Sequence, residues 1–415
     1  MPRIAMIIGL IVLLVLAVLG VGAAVPLGSG TARSGPQPDG ATYAARGAHA
    51  VGTRDLIIDG EAPLEAAMWY PARQGERGDA RITYPYQIKM GAPLGKVTIA
   101  TFRGEATRDA EYDLAAGPYP LVVLSPGLSM GASSYAWLAE HLASYGMVVI
   151  APEHEEHFDG ELNMLWQAAI TRPQDSLDTL AYVDEQARTG GALEGLIDTG
   201  KTAVIGHSYG GYTSLVSGGA QIDTAGFRER CQTAEAGDPG VWLCENILPH
   251  LADMAELAGL DGVPDGLWPS WSGADVDAVV SLAGDAYAFG EDGLAKISVP
   301  VLAIGGTADE DTPFMWGTHP TYEYISSGAK ARAALEGAEH MIFSAPCEAT
   351  PLLMRVMSAE FCSDTGWDRY RAHDLTAHLA TAFLLAELKG DAEAASALAP
   401  EAVDFAGVTY NAQGY

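Results

Sequence analysis

Short, unbroken apolar runs recur along the chain: residues 121–124 (Leu-Val-Val-Leu), 147–150 (Met-Val-Val-Ile), 202–205 (Thr-Ala-Val-Ile), 278–282 (Ala-Val-Val-Ser-Leu) and 299–304 (Val-Pro-Val-Leu-Ala-Ile). Runs of that length without polar alternation are the pattern of strands buried on both faces. Between them lie segments whose apolar residues fall at helical spacing. Residues 134–142 form one, and residues 173–188 another, with Leu177, Leu180, Ala181 and Val183 on one side. The stretch after Gly210 and residues 373–388 complete the set. Such alternation predicts an α/β fold, a mostly parallel central sheet with helices on both faces. The beginning reads differently. Residues 55–70 predict two strands about a turn at Asp59-Gly60, the second halted by Pro71, which cannot donate to a ladder. The sheet is therefore expected to open with antiparallel strands.

The rhythm breaks over residues 220–273, which hold two cysteines, several tryptophans and helix-like pieces. We read them as an insertion over the site, a lid or a substrate wall. Residues 28–53, rich in Gly, Ser, Pro and Ala, read as a flexible linker. The folded domain is expected over 54–395, beginning near Asp55, with 396–415 as a C-terminal tail. Ahead of the linker, an uncharged apolar run spans residues 4–25, with Gly22-Ala23-Ala24 suited to cleavage. Residues 1–27 are accordingly a signal peptide or an uncleaved membrane anchor. Either predicts export, with the catalytic domain secreted, periplasmic or tethered outside the cytoplasm.

Charge then excludes a class of partner. The 53 acidic residues outnumber the 23 basic ones, for a formal charge of −30. Such a surface repels phosphate backbones, so no nucleic acid is expected. The four cysteines suit an oxidising compartment and allow three pairings. The short-range choice is Cys231 with Cys244 and Cys347 with Cys362, each closing a loop worth about 3 kcal/mol. No spacing suggests a metal site. His154 and His157 flank Glu155 and Glu156, but not as HExxH, and that stretch reads as a solvated loop.

In a parallel sheet, ligands gather beyond the carboxyl ends of the strands, so catalytic residues should follow strands. Two Gly-x-Ser-x-Gly motifs occur, centred on Ser129 and Ser208. A nucleophile elbow needs a strand running directly into a tight turn and then a helix. Residues 202–205 run straight into Gly206, and Gly210-Gly211 opens a helix. At Ser129, Pro126 intervenes between strand and glycine, which suits an exposed loop. Ser208 is therefore the candidate nucleophile, with Gly206 and Gly210 as the elbow glycines. The early loop supplies one oxyanion donor, the backbone N–H of Leu128, and Tyr209 supplies the other.

A serine hydroxyl needs a base. His340 follows the short strand at 333–335 in a turn-forming stretch. The other histidines have structural readings: His141, His373 and His378 lie on helices, and His207 points away from the site by strand geometry. The orienting carboxylate is expected after the 301–304 strand. Asp309 is preferred there, with Asp311 as the alternative. The chain order Ser208, Asp309, His340 is the order of α/β-hydrolases.

Taken together, these motifs resemble the α/β-hydrolase group of platelet-activating-factor acetylhydrolases and predicted dienelactone hydrolases, and more distantly bacterial cutinases and polyester hydrolases. The resemblance spans roughly residues 50–390. It rests on Trp69-Tyr70-Pro71-Ala72, on 120–128, on 138–146, on 206–211 and on the Asp309 and His340 turns. It implies a serine esterase working through an acyl-enzyme without metal or organic cofactor, on a small-molecule or polymeric ester. The implied triad is Ser208, Asp309 and His340, with Leu128 and Tyr209 at the oxyanion. Serine at 208, where true dienelactone hydrolases have cysteine, argues against their substrate. Ser125-Pro126-Gly127 is cutinase-like. Short-acyl or phospholipid-type esters are the first expectation and polyesters the alternative. An amidase or peptidase, and a non-catalytic tethered binding protein, are the lesser readings.

Overall fold

The computed structural model describes residues 40–59, 63–75, 82–90, 95–154, 165–235, 237–238, 240–271, 276–346, 364 and 366–415. The expected signal or anchor run at 4–25, Cys347 and Cys362 lie outside them. No helix among the described residues is long and apolar enough to cross a membrane.

Strands β1 (Ala50–Ile58) and β2 (Leu64–Ala72) form the expected antiparallel opening, followed by a separate hairpin of β3 (Thr83–Met90) and β4 (Gly95–Arg103). After β5 (Thr107–Arg108) come β6 (Tyr119–Ser125), β7 (Val148–Pro152), β8 (Ile197–His207), β9 (Ala278–Leu282), β10 (Val301–Gly306), β11 (Lys330–Leu335) and β12 (Val408–Gln413). Ten strands make one sheet in the order β12-β11-β10-β9-β8-β6-β7-β2-β1-β5, with β6 to β11 mutually parallel. The pattern predicted Pro71 as a stop, yet β2 runs on to Ala72, with Pro71 opposite Val51. Pairing with β7 ends at Trp69, so the missing N–H leaves no partner unserved on that side.

The helices are α1 (Ala136–Ser144), α2 (Leu165–Gln186), α3 (Tyr209–Ser217), α4 (Thr224–Thr233), α5 (Val241–Ile247), α6 (Leu251–Leu257), α7 (Gly290–Leu294), α8 (Thr318–Tyr324), α9 (Arg369–Lys389) and α10 (Ala392–Ser396). Side chains alternate across the sheet, which creates two cores. Val122, Leu124, Val149 and Ile205 pack with Leu138 and Leu142 of α1 and Leu379 and Phe383 of α9. Leu121, Val123, Ile150 and Val204 pack on the other face, with Ala169 of α2 and Tyr212 and Leu215 of α3. Each central strand thus has apolar residues on both sides, which is why its sequence shows no alternation.

Two boundaries differ from expectation. The linker does not extend to residue 53: a 3-10 turn at Thr42–Ala44 buries Tyr43 and Ala44, and β1 begins at Ala50. Composition suggested a tether, but the Tyr43 backbone is clasped from two helices. Its N–H donates to His378 Nδ1 (3.1 Å), and its carbonyl receives His141 Nε2 (2.8 Å). Nearby, buried Glu140 accepts from Tyr84 Oη and from the N–H groups of Glu105 and Ala106, and pairs with Arg46 at 3.0 Å. The 396–415 segment is likewise no tail, because β12 pairs antiparallel with β11 over six residues. As a polar edge strand it carries little apolar signal.

Candidate active site

Ser208 stands where β8 ends and α3 begins, partly exposed, with φ 57° and ψ −123°. A non-glycine residue in that region costs about 1–3 kcal/mol, so its surroundings must hold it. They do: Ser208 N–H donates to Leu282 O (2.9 Å), while Ser208 O accepts from Tyr212 N–H (3.1 Å) and Asp285 N–H (3.3 Å). The flanking glycines are sterically required. A Cβ on Gly206 would lie 2.0 Å from Gly210 O, and one on Gly210 would lie 1.9 Å from Ser125 O.

His340 follows β11 and opens the short turn His340–Phe343. Its Nδ1 lies 2.7 Å from Asp309 Oδ2. The other oxygen of Asp309 accepts the N–H groups of Asp311 (3.0 Å) and Thr312 (2.8 Å), which fixes the carboxylate at the end of β10. Of the two acids weighed, Asp309 is buried against the imidazole, and Asp311 is exposed and contributes its backbone. Burial alone would lower the His340 pKa. The Asp309 charge and hydrogen bond outweigh it, with help from Asp311 and Asp285, and raise it to about 9. With Nδ1–H committed to Asp309, the neutral ring presents Nε2 as an acceptor.

The Leu128 loop is fastened through its carbonyls. Fully buried Arg172, from α2, donates to Pro126 O (2.5 Å) and Gly127 O (3.0 Å). Tyr86 of the β3–β4 hairpin donates to Ser129 O (2.7 Å). The Leu128 N–H makes no hydrogen bond among the described residues. Tyr209 is the first residue of α3, where helical N–H groups have no intrahelical acceptor. Both amides are thus available to a developing negative charge.

Several participants were not anticipated. Arg172 is one. Asp285, just past β9, is another: burial chiefly, and the charges of Asp309 and Asp311, raise its pKa to about 8 although His340 and Thr312 oppose this. Its Oδ1 has no hydrogen-bond partner among the described residues. His154 is not in a solvated loop but wholly buried, between Ser125 Oγ (2.9 Å) and Asp175 Oδ2 (2.7 Å). Glu155, Glu156 and His157 lie outside the described residues. His141 and His373 bond to backbone carbonyls and His378 to a backbone N–H, the structural roles expected of them, whereas His207, expected to point away from the site, lies with its ring 4.7 Å from that of His340. Arg172, Asp285 and the buried setting of His154 could not be read from the sequence because their partners are distant along the chain.

The 220–273 stretch contributes α4 to α6 and the disulfide Cys231–Cys244, the short-range pairing expected. It is tied to the loop that follows Asp309. Trp316 Nε1 donates to Asp238 Oδ2 (3.1 Å), and the Arg230 guanidinium lies 5.4 Å from the Trp316 ring.

A family model described as PET hydrolase-like matches residues 107–225, a span that includes Leu128 and Ser208 and stops short of Asp309 and His340. A bis(hydroxyethyl) terephthalate hydrolase of Streptomyces coelicolor is 30% identical over 146 residues, 35% of this chain and 40% of that protein. Cutinase est2 of Thermobifida alba is 34% identical over 97 residues, 23% of this chain and 29% of the cutinase. Platelet-activating factor acetylhydrolase of Canis lupus familiaris is 25% identical over 228 residues, 41% of this chain and 50% of that enzyme. The chain thus spans half or less of these relatives. The sheet order, the helices on both faces and this match make the fold that of an α/β-hydrolase.

Proposed function

We propose that the protein is a serine carboxylic ester hydrolase with Ser208 as nucleophile, His340 as general base and Asp309 as the carboxylate that orients it. The observation that carries the reading is the buried 2.7 Å pair of His340 and Asp309, beside an elbow that holds Ser208 at φ 57°. Ser208 Oγ attacks the acyl carbon as its proton passes to His340 Nε2, and the oxyanion forms against the N–H groups of Leu128 and Tyr209. Collapse expels the alcohol oxygen, which takes the proton from Nε2 and leaves an acyl-enzyme. Water then attacks, His340 receives its proton, and collapse returns that proton to Ser208 as the acid departs.

Two substrate classes fit this chemistry. Short-acyl or phospholipid-type esters accord with the acetylhydrolase relative. The terephthalate hydrolase, the cutinases and the PET hydrolase-like match favour the polyester alternative. The 220–273 stretch, stapled by its disulfide and tied to the loop after Asp309, is the natural wall for the substrate. The disulfide and the apolar run at 4–25 support export to an oxidising compartment.

The test compares the protein with Ser208→Ala on matched ester and amide substrates and on a polyester film. Ester turnover should fall by about 10⁴-fold or more in the variant, together with labelling by a fluorophosphonate. Undiminished turnover in Ser208→Ala would remove Ser208 from the mechanism. Faster cleavage of the amide would make the protein an amidase, and release of soluble monomers from the film would select the polyester reading.

A further inference from the structure

Three loops needed by the proposed acyl transfer are joined by one chain of hydrogen bonds. Gly127 N–H donates to Tyr135 Oη at 3.2 Å. Tyr135 Oη lies 2.7 Å from His207 Nδ1, and His207 Nε2 lies 3.0 Å from the carbonyl oxygen of His340. The direction of each bond follows from elementary chemistry. A carbonyl oxygen only accepts, so the proton of the His207 ring sits on Nε2. The neutral ring then offers Nδ1 as an acceptor, the Tyr135 hydroxyl donates to it, and a lone pair on that oxygen receives Gly127 N–H. A flipped tautomer would set the Nε2 lone pair against the His340 carbonyl oxygen, and a charged ring would turn the Tyr135 hydroxyl proton away from Nδ1.

Placement gives the chain its meaning. Gly127 is the residue before Leu128, His207 is the residue before Ser208, and the terminal carbonyl belongs to His340 itself. Each end and the middle therefore touch the backbone within one residue of a proposed catalytic group. Tyr135 and His207 are at most 2% exposed, so water is not at hand to substitute for either. The rings of His207 and His340 lie 4.7 Å apart, centroid to centroid. Burial, and then the nearby His340 charge, push the His207 pKa well below the ordinary histidine value, which keeps the ring neutral.

We propose that Tyr135 and His207 are positioning residues, a relay that holds the oxyanion loop, the nucleophile elbow and the base turn in one register. The proposal rests on the ester-hydrolase reading of those three loops. Neither side chain touches the reacting atoms. Each acts by fixing where the Leu128 amide, Ser208 and His340 stand relative to one another, and displacements of about 1 Å in such arrangements cost roughly 100-fold in rate.

The experiment uses Tyr135→Phe, which deletes only the hydroxyl, His207→Asn, which keeps an acceptor for Tyr135 but is too short to reach His340 O, and the double variant. With p-nitrophenyl acetate, each single variant should lose about 10- to 100-fold in kcat with KM within about twofold, at an unchanged fluorophosphonate-titrated active fraction. The double variant should lose no more than the poorer single, because one relay can be broken only once. A fall in melting temperature and active fraction, with full kcat per labelled site, would make the role merely structural and overturn the proposal, as would multiplicative losses. Imidazole ¹⁵N shifts read the wild-type ring independently of turnover. His207 should be neutral with Nε2 protonated from pH 5 to 8, and an Nδ1–H tautomer or an imidazolium at pH 6 would overturn the relay. If the wild type hydrolyses no ester, the functional reading falls, while the ¹⁵N spectrum still decides whether the relay exists.

Discussion

At the scale of single residues, the balance that matters is the one acting on the His340 proton. Burial disfavours the charged ring, whereas Asp309, Asp311 and Asp285 favour it, and the outcome is a pKa near 9. A general base must be unprotonated, so kcat/KM for a neutral ester should climb about tenfold per pH unit through neutrality and level off near pH 9. Because the folded value lies above that of a free histidine, the charged ring adds stability below about pH 6.5, and that contribution fades as pH rises through about 9. Asp309→Asn removes the largest charge-favouring partner. The limb should then shift to lower pH and the plateau should drop by about 10⁴-fold. A pH–rate profile from 5 to 10 on both proteins checks this, and an unmoved limb in the variant would show that Asp309 does not set the imidazole. Ser208, Asp309 and His340 were legible because each follows a strand in turn-forming sequence, and the structure sets them after β8, β10 and β11. Asp285 also follows a strand. Its significance lies in burial beside two other acids, which no local pattern announces.

Among the elements, α2 illustrates what periodicity cannot convey. The spacing predicted a helix from residue 173, yet α2 begins at Leu165 and carries Pro173 inside it. Proline has no N–H for the carbonyl four residues earlier, that of Ala169. Tyr212 Oη of α3 donates to that carbonyl instead (3.2 Å), so the break in the ladder becomes the joint between α2 and the elbow helix. The same helix also carries Arg172, which clamps the Pro126 and Gly127 carbonyls, and Asp175, which holds His154 against Ser125. The insertion is secured covalently. Cys231 and Cys244 are 13 residues apart, and loss of that bridge by Cys231→Ser with Cys244→Ser should cost about 3 kcal/mol. Denaturant unfolding measures it. A midpoint unchanged from the parent would mean that α4 and α5 are held by packing alone.

For the whole molecule, the sheet was readable at its centre and not at its margins. Strands β6, β7, β9 and β10 are buried throughout and announce themselves as apolar runs. Both misjudged boundaries fall at margins and leave no hydrophobic period to read: Tyr43 and Ala44 are too short a stretch, held by the His378 and His141 side chains, and β12 pairs through its backbone. β12 is the sharper case, since its partner β11 leads directly into the His340 turn. Deleting residues 408–415 should bare the β11 edge, lower the melting temperature by on the order of 5 °C and promote self-association. Thermal unfolding and light scattering on the truncated protein test this, and an unchanged melting temperature and scattering mass would mean that β11 needs no neighbour. The same pairing has a consequence in time. Synthesis runs from the N-terminus at about 5–20 residues per second, so β12 emerges roughly 4–15 s after His340. Throughout that interval the elbow, the carboxylate and the histidine all exist while the strand leading to the histidine lacks its outer neighbour. The site is therefore completed only once β12 has emerged, whatever the order in which its own residues were made.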